Sequence, residues 1–421
     1  MNLKQRDRKH LWHPLTQHKL HPEHLPIVSA KGVWLYDDQG NKYIDGIASW
    51  YTCMYGHSNP KIISAVKQQL GVLDQVVFSG FTHPPAIELS EKLMDILPAS
   101  MAKIFFSDNG STSVDVAIKI ALQYYFNKGE KRNKVVALHN AFHGDTFGAM
   151  SVSGLSVYNG PFEDFLLRIE RIEVPDEQNW ESVVKEFKNL LDTGQVAAFI
   201  YEPLVQGAAS MHMFAPEHLD QLISMAQKAQ VLTIADEVMT GFGKTGLNFA
   251  SEYMEAKPDL ICLSKSLTAG VAPMALTCCS QEVYDAFYDD EISKGFFHGH
   301  TYSANPLACT AAIAGIDLLC SEEIQNSIQR INERHLKFEQ YIRTNPKVKA
   351  TRVRGVIFAL DLNVEMDRYG KLRDQLYAFF MKEGVVLRPL GNTVYTLPPY
   401  VITDGELDKI YEVIEKCLDI I

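Results

Sequence analysis

The 421-residue sequence lacks an excess of positive charge. It contains 40 lysines and arginines against 51 acidic residues, which gives a formal net charge of −11 at pH 7. This balance argues against a nucleic-acid backbone or an anionic membrane as the main partner. We therefore expect no nucleic-acid and no membrane partner, whereas small anions stay open because a local pocket can be positive on an acidic protein.

Long apolar runs and paired cysteines are also missing. No stretch approaches the roughly 18 continuous apolar residues of a membrane-spanning helix, and the charged first nine residues precede no apolar run of signal-peptide length. The seven cysteines are odd in number and contain no Cys-x-x-Cys pair, so we expect buried, reduced thiols rather than disulfides or a zinc site. These absences predict a cytoplasmic protein.

The pattern of apolar residues predicts an α/β protein. Between about Trp50 and Asn305, strand-like, loop and helix-like segments follow each other repeatedly. Four short runs are nearly all apolar: Val135–Leu138, Val196–Tyr201, Val231–Ala235 and Leu260–Leu263. Strands buried on both faces have this composition, so we expect a mostly parallel sheet with ligands beyond the carboxyl ends of its strands.

The two ends of the chain differ from this central region. Residues 28–43 alternate between apolar and polar with a turn signal at 38–40, which predicts a small hairpin. A chain of this length exceeds one ordinary core, so the tail after Pro306 is predicted to be a smaller α+β unit. Before a final helix, its predicted helices and strands are Leu307–Leu319, Ser321–Thr344, Gly355–Leu362 and Val385–Leu397.

Two polar residues follow apolar runs closely. Asp236 comes directly after Val231–Ala235, and a carboxylate at the end of a buried strand costs several kcal/mol unless a cation meets it. Lys265 follows Leu260–Leu263, and lysine is rarely buried. Taken alone, Asp236 could cap a helix or bind a metal, and Lys265 could lie on the surface.

Two further segments are candidates for ligand binding. Gly110 and Ser111 precede the helical run Val114–Tyr125, and a helix N-terminus offers free N–H groups to a phosphate, which glycine allows to approach closely. Phe142 lies in a loop just past a predicted strand, where its ring is placed to stack on a ligand. Each feature also has an ordinary structural explanation, as a helix N-cap or as part of the core.

Together these four features match what pyridoxal 5′-phosphate (PLP) requires of a protein. A carboxylate keeps the pyridinium nitrogen protonated, a lysine links to the cofactor and moves a proton, a helix N-terminus holds the phosphate, and a flat side chain stacks on the ring. A metal site fits worse, because Asp236 and Glu237 would point to opposite faces of a continuing strand and no histidine pair has ligand spacing. The residues therefore predict a PLP enzyme without a metal.

In order along the chain, these residues resemble the class III, or ω-, aminotransferases. The signature region of that family is similar to Asp236–Gly246 (DEVMTGFGKTG) followed by Ser264–Gly270 (SKSLTAG). The resemblance covers nearly the whole chain and implies PLP-dependent transferase fold type I. It implies a large domain at residues 50–310 with a mostly parallel seven-stranded sheet, and a smaller α+β domain built from residues 1–49 and 311–421.

Within the family, the chain is most similar to the branch that aminates 8-amino-7-oxononanoate to 7,8-diaminononanoate in biotin biosynthesis, usually with S-adenosylmethionine as donor. The segments that carry this likeness are Trp12–Gln17 (WHPLTQ), Asp45–Tyr51 (DGIASWY), Phe142–Met150 (FHGDTFGAM), Phe297–Thr301 (FHGHT) and Arg388-Pro389.

The resemblance also implies a role for individual positions. Lys265 would be the Schiff-base lysine, Asp236 the partner of the pyridinium nitrogen, and Gly110 and Ser111 the holders of the phosphate. A homodimer with shared active sites is implied, because two residues would complete the phosphate site of the neighbouring subunit: His300 and Thr301. The implied substrate site contains Leu15, Trp50, Phe142, Lys265, Gly299 and Arg388, with the arginine as the fork for a substrate carboxylate.

Two absences help to choose the branch. Family members that use glutamate as amino donor usually carry Gln-Gly-Glu and an arginine just before a C-terminal Pro-Pro, a gated pair for the second carboxylate. Here the matching segments read Gln206-Gly207-Ala208 and Val394–Pro399 (VYTLPP), so neither residue is present. The resemblance therefore argues against ornithine, GABA and acetylornithine aminotransferases.

Three positions depart from the branch. Leu15 and Phe142 stand where these enzymes commonly have tyrosine, and Tyr51 stands in place of the second residue of a usual Trp-Trp pair. The donor pocket has therefore changed, which leaves lysine or another amine open as donor. Also open are another class III ω-aminotransferase with an unrelated substrate, and an aminomutase or decarboxylating relative on the same cofactor.

Overall fold

The strands are short and recur along the whole chain. The structure, a computed structural model, describes residues 1–154 and 159–421. The strands in these residues are β1 Ile27–Lys31, β2 Trp34–Asp37, β3 Lys42–Asp45, β4 Met101–Ser107, β5 Lys134–Leu138, β6 Ile169–Ile172, β7 Val196–Tyr201, β8 Val205–Gln206, β9 His212–Met213, β10 Leu232–Asp236, β11 Leu260–Leu263, β12 Ala275–Ser280, β13 Val348–Arg354, β14 Ile357–Leu362, β15 Val385–Val386 and β16 Thr393–Thr396.

The largest sheet has seven strands in the order β4-β12-β11-β10-β7-β5-β6. β12 runs antiparallel to both of its neighbours, and the other paired strands are parallel. Alternate residues of one strand enter two different hydrophobic clusters, as Val136 and Leu138 do on one face and Val135 and Ala137 on the other. Both faces are therefore buried, and the prediction of a mostly parallel sheet with nearly all-apolar strands is confirmed.

Helices connect and cover these strands. The longest of them, Glu322–Ile342, carries its buried apolar residues at helical spacing. Helices are also present where the sequence predicted them, at Val114–Tyr125, Leu307–Leu319 and Ser321–Thr344. The helices are α1 Leu3–His10, α2 Pro60–Leu70, α3 Pro84–Ile96, α4 Gly110–Asn127, α5 Phe147–Val152, α6 Trp180–Leu191, α7 Pro216–Lys228, α8 Gln281–Asp285, α9 Pro306–Leu319, α10 Glu322–Ile342, α11 Lys371–Lys382 and α12 Asp404–Cys417. Shorter 3₁₀ turns include Ala250–Tyr253 and Lys265–Thr268.

A second sheet joins the two ends of the chain. The predicted hairpin is present as β2 and β3, and β1 pairs with its outer edge. On the other side, β15 runs parallel to β3 with Val385 opposite Ile44. A small domain built from both termini requires such a pairing, and its boundaries at residues 49 and 311 stay a prediction.

One predicted strand, Val385–Leu397, was wrong as a single element. It is divided into β15 and β16, and β16 belongs to a different sheet with β13 and β14. The physical reason lies between the two halves. Pro389 has no N–H to donate to a strand partner, and Gly391 has a φ of +62°, which turns the chain.

The cysteines are free thiols, as expected, but they are not all buried. Cys320 is exposed where it ends α9, and Cys53 is partly buried. Across residues 1–154 and 159–421, none of the helices combines the length and the apolar character needed to cross a bilayer.

A buried histidine fastens the C-terminal helices to each other. His335 of α10 is fully buried; its Nδ1 lies 2.8 Å from the Tyr411 hydroxyl of α12, and its Nε2 lies 3.1 Å from the Val356 carbonyl. Because a carbonyl only accepts hydrogen bonds, Nε2 carries the proton and Nδ1 accepts from the tyrosine. Burial lowers the pKa of His335 to about 3, so the ring is neutral near neutral pH.

We expect His335→Leu to lower the free energy of unfolding by about 2 kcal/mol at pH 7, because Tyr411 and Val356 lose a buried partner. The pKa of His335 is depressed from 6.5 when unfolded to about 3 when folded, so its stabilising effect is complete above pH 6.5 and declines as the pH falls toward 3. Urea unfolding should therefore show the difference between wild type and variant shrinking from pH 7 to pH 5. A difference that grows on acidification would contradict this assignment.

Candidate active site

Four adjacent parallel strands end at one edge of the large sheet, and a functional group follows each of them. β11, β10, β7 and β5 are neighbours in this order. Lys265 comes after β11, Asp236 ends β10, Glu202 follows β7, and Phe142-His143 lie beyond β5. Parallel strands bring their carboxyl ends to the same edge, so these groups meet in space although they lie far apart in the sequence, between positions 142 and 265.

These side chains border a cavity of about 750 Å³. Such a volume suits a cofactor together with a small substrate. Seven of the residues expected at the site line it: Leu15, Trp50, Gly110, Ser111, Phe142, Asp236 and Lys265. The structure therefore brings most of the expected residues together in one cavity, and their roles stay proposals.

Asp236 is buried and its carboxylate is held from two sides. Only 4% of the residue is exposed; Oδ2 lies 2.7 Å from Nδ1 of His143, and Oδ1 accepts from the Val238 N–H at 3.0 Å. The His143 Nε2 is buried without a hydrogen-bond partner among the described residues. The pair thus fixes the orientation of the carboxylate at the wall of the cavity.

Lys265 presents an amine to the same cavity. Burial lowers its pKa, while the negative charges of Asp236 and Glu202 act in the opposite direction. Its backbone has a φ of +47°, a conformation that costs a non-glycine residue free energy and that clusters at functional sites. A lysine with a lowered pKa has a larger neutral fraction, and only the neutral amine is a nucleophile.

Glu202 is a site residue that our sequence reading did not single out. It is 4% exposed, and its carboxyl oxygens accept from the N–H groups of Phe142 at 2.9 Å and Gly207 at 3.0 Å. Burial raises the pKa of Glu202 to about 7; the His143 ring lowers it and Asp236 raises it further. The sequence contained a signal for this residue, because Glu202 directly follows an apolar strand just as Asp236 ends one.

The N-terminus of α4 forms the polar end of the cavity. The N–H groups of Gly110 and Ser111 belong to the first turn of the helix and have no partner within it. The Ser111 hydroxyl accepts from the Thr146 N–H at 3.0 Å and lies 3.0 Å from the Thr146 hydroxyl. Thr146 is a second residue that the sequence reading did not assign to the site.

Two glycines keep this end of the cavity open. A Cβ on Gly144 would lie 2.0 Å from the Ser111 hydroxyl oxygen, and its φ of +134° excludes most other residues. A Cβ on Gly110 would lie 2.8 Å from the Val238 side chain. Val238 also borders the cavity and was missed by the sequence reading, so the helix end, the glycines and this apolar residue form one closely fitted wall.

Trp50 reaches the cavity from a left-handed turn. Positive φ values run from Ala48 to Tyr51, between 46° and 69°, which is unusual for consecutive non-glycine residues. Asp45 holds the turn: its Oδ2 accepts from the Ser49 hydroxyl at 2.7 Å and lies 2.8 Å from Nε2 of His57. The side chain of Tyr51 is anchored as well, because its hydroxyl donates to the Tyr395 hydroxyl at 2.7 Å.

Arg388 does not border the cavity in the described part of the chain, contrary to expectation. Its guanidinium carbon lies 5.0 Å from the centroid of the Trp50 ring, a cation–π contact with a residue that lines the cavity. Arg368, which the sequence reading did not consider, lines the cavity instead and donates to the Ala208 carbonyl at 2.8 Å. The guanidinium group at the cavity wall thus belongs to Arg368, which lies in a different loop from Arg388.

Gly299, His300 and Thr301 also lie outside this cavity. All three are exposed, and a Cβ on Gly299 would meet no atom within 4 Å. Nε2 of His300 lies 3.4 Å from the carboxylate of Asp108, a residue at the cavity wall. For Gly299 the expected place in the substrate site is not met within one chain, because its loop projects into solvent; the role of His300 and Thr301 in a second subunit stays a prediction.

The cavity fits the expected cofactor. Asp236 supplies a buried carboxylate held by a histidine, Lys265 supplies an amine, and the open first turn of α4 supplies donors for a phosphate. Phe142 and Val238 offer apolar surfaces to a flat ring. Nε2 of His143 is a buried polar atom that the described residues leave without a hydrogen-bond partner.

Comparison with known proteins gives a consistent result. A family model described as aminotransferase class-III matches residues 16–418. The adenosylmethionine-8-amino-7-oxononanoate aminotransferase of Synechococcus elongatus is 43% identical over 421 aligned residues, which cover 97% of this chain and 98% of that protein. The protein of the same name from Helicobacter pylori is 34% identical, with 99% and 98% covered.

Solved structures share the fold over nearly the full length. The crystal structure of adenosylmethionine-8-amino-7-oxononanoate aminotransferase from Methanocaldococcus jannaschii superimposes with a TM-score of 0.93 at 32% identity and covers 98% of each chain. The ω-transaminase of Pseudomonas jessenii in complex with PMP superimposes with a TM-score of 0.93 at 27% identity, covering 100% of this chain and 98% of the other.

The Gly144→Ala variant tests the polar end of the cavity. Because the new Cβ would lie 2.0 Å from the Ser111 hydroxyl oxygen, it must displace Ser111 and the first turn of α4. We expect the affinity for PLP to fall at least about 10-fold, or about 1.4 kcal/mol. Titration of the apoprotein with PLP measures this. Gly405→Ala is the matched control, since a Cβ there meets nothing within 4 Å; equal affinities of the two variants would contradict the placement.

Proposed function

The chain belongs to the class III aminotransferases, and we propose that it transfers an amino group from S-adenosylmethionine to 8-amino-7-oxononanoate, giving 7,8-diaminononanoate for biotin synthesis. It is an aminotransferase of fold type I, as expected from the sequence. The proteins from Synechococcus elongatus and Helicobacter pylori are named after this reaction, and they are similar to this chain over nearly their whole length. This similarity supports the choice of substrates.

The cofactor is pyridoxal 5′-phosphate, as in the rest of the class. When bound, it supplies an electron sink for the carbon that gains or loses a proton. In our proposal Lys265 holds it covalently, Asp236 faces its ring nitrogen, and Gly110 and Ser111 hold its phosphate. Phe142 covers one side of its ring.

Lys265 is also the proposed acid–base group. In the first half of the reaction the donor amine replaces Lys265 on the cofactor, and the freed Nζ accepts the proton from the amine-bearing carbon of the donor. In the second half it returns a proton to the carbonyl carbon of the acceptor, so the donor leaves as a ketone and the acceptor as an amine. The lowered pKa of Lys265 suits this work, because burial enlarges the fraction of neutral amine that is able to accept a proton.

Asp236 stays ionised in this proposal and keeps a positive ring nitrogen in place. His143 assists by holding Oδ2 at 2.7 Å, which leaves the orientation of the carboxylate fixed through both halves of the reaction. The Glu202 carboxyl group accepts hydrogen bonds from the backbone N–H groups of Phe142 and Gly207, so it positions the two loops that contain these residues.

The substrate carboxylate has two candidate partners. Arg388 is the expected one, and its guanidinium contacts the ring of Trp50, which lines the cavity. Arg368 already borders the cavity, beside Ala208. A guanidinium binds a carboxylate through two parallel hydrogen bonds, so either arginine is able to set the orientation of the substrate chain.

One observation carries the choice of donor. Where glutamate-using relatives place a glutamate, the wall of this cavity has Ala208, and the segment before Pro398 contains no arginine. A donor with a second carboxylate therefore lacks its usual gated pair. Leu15, which also borders the cavity with about half of its surface exposed, removes a hydroxyl from the donor side and leaves lysine as the alternative donor.

We further propose a cytoplasmic homodimer in which each subunit completes the site of the other. Gly299, His300 and Thr301 support this, because all three are exposed in the single chain, and Nε2 of His300 lies 3.4 Å from the carboxylate of the cavity residue Asp108. Large apolar side chains near them are also exposed, including Phe297 at 76% and Tyr302 at 59%. Such a surface is typical of an interface.

A half-reaction on the PLP-loaded enzyme tests the donor. S-adenosylmethionine, lysine and glutamate are added separately, and the visible absorbance of the lysine-bound cofactor is followed. We expect S-adenosylmethionine alone to bleach it, and Lys265→Ala to bind PLP noncovalently with turnover lowered at least about 10³-fold. If only lysine bleaches the absorbance, lysine and not S-adenosylmethionine is the amino donor. If glutamate bleaches it, the assignment to the 8-amino-7-oxononanoate branch is wrong. Bleaching by any donor in the absence of acceptor argues against an aminomutase.

Mixed dimers test the shared sites. Lys265→Ala chains and His300→Ala/Thr301→Ala chains are each expected to be nearly inactive alone. When both are co-expressed with different tags and pair at random, half of the dimers are mixed, and each mixed dimer contains one complete site. We therefore expect about one quarter of wild-type activity. No recovery in the purified mixed dimer would show that each chain completes its own site.

A further inference from the structure

The segment before β1 is rich in histidine. Five of the fourteen histidines of the chain lie between positions 10 and 24. The sequence reading found no ligand spacing there, because the intervals along the chain match no common metal motif. The fold nevertheless brings two of these rings, His13 and His24, to Asp7 of α1.

The three side chains converge on a small volume. Nε2 of His13 lies 3.0 Å from both carboxylate oxygens of Asp7, and the centroids of the His13 and His24 rings are 3.6 Å apart. One ligand atom from each residue falls within 4.8 Å of the others. Around a tetrahedral zinc ion with bonds of about 2.1 Å, ligand atoms are about 3.4 Å apart, so only a small contraction is needed.

The surroundings of the cluster favour a cation. The side chains of His13 and Asp7 are only 29% and 22% exposed. A third imidazole supports the site from outside: Nε2 of His18 accepts from the His13 N–H at 2.8 Å.

We propose that Asp7, His13 and His24 bind one divalent transition-metal ion of the zinc type, with water as the fourth ligand. Two neutral imidazoles and a carboxylate form a ligand set that zinc prefers, and Nε2 of His13 exchanges its hydrogen bond to Asp7 for a metal bond. The ion would tie α1 and the loop before β1 to the segment between them. That segment carries Leu15, which borders the active-site cavity, so the metal would fix this part of the cavity mouth.

Metal binding to tag-free, chelator-treated, PLP-loaded enzyme tests the site. Titration calorimetry with Zn²⁺ measures the stoichiometry, and Co²⁺ serves as a spectroscopic probe because tetrahedral cobalt absorbs strongly in the red, away from the cofactor. We expect one equivalent of Zn²⁺ per chain and an intense cobalt spectrum that Zn²⁺ abolishes. His24→Ala and Asp7→Asn should each lower the affinity at least about 10-fold.

His10→Ala is the matched control, because His10 is exposed on the same helix and lies outside the cluster. It should bind Zn²⁺ as the wild type does, and metal-free His24→Ala should unfold at the wild-type temperature, which separates a lost ligand from a damaged fold. The proposal is overturned if no stoichiometric binding occurs. It is equally overturned if His24→Ala and Asp7→Asn bind with wild-type affinity, or if the cobalt spectrum is octahedral and weak.

Discussion

The buried carboxylate of Asp236 is the constraint on which the active site depends. A carboxylate exposed by only 4% is costly, and the His143 ring together with one N–H group offsets part of that cost. Asp236 also lines the cavity, where we propose that it faces the cationic ring nitrogen of the cofactor. The neighbouring strands add the other charged groups of the site. Lys265 and Glu202 follow the strands on either side of β10, and they meet Asp236 at the same edge of the sheet.

Around this rigid centre, the substrate side is built from irregular backbone. The left-handed turn at Ala48–Tyr51 and the positive φ of Lys265 each cost free energy, on the order of 1 to 2 kcal/mol per residue. Asp45 repays part of this through its bonds to Ser49 and His57. This partly buried hydrogen-bond network holds the strained backbone that carries Trp50.

The sequence predicted the residues whose position follows from the parallel sheet. Asp236, Lys265 and Phe142 come after apolar runs, and adjacent parallel strands bring such residues together whatever the loops do. Arg388 does not line the cavity of the single described chain, and it contacts Trp50, whose turn contains no glycine to indicate its left-handed backbone. Arg368 could not be foreseen, because it reaches the cavity from a loop without apolar periodicity. The division of Val385–Leu397 into two sheets likewise depends on partners far away in the sequence.

The central claim is that the cofactor is linked to the lysine that lies opposite Asp236. Borohydride reduction of the PLP-loaded enzyme, followed by peptide mapping with mass spectrometry, fixes that link and identifies the residue that carries it. The chain has other lysines, and fully buried Lys244 is the most demanding alternative because burial lowers its pKa as well. Our account predicts one pyridoxyl group per chain, on the peptide that contains Lys265. A pyridoxyl group on Lys244 or on any other lysine would contradict it.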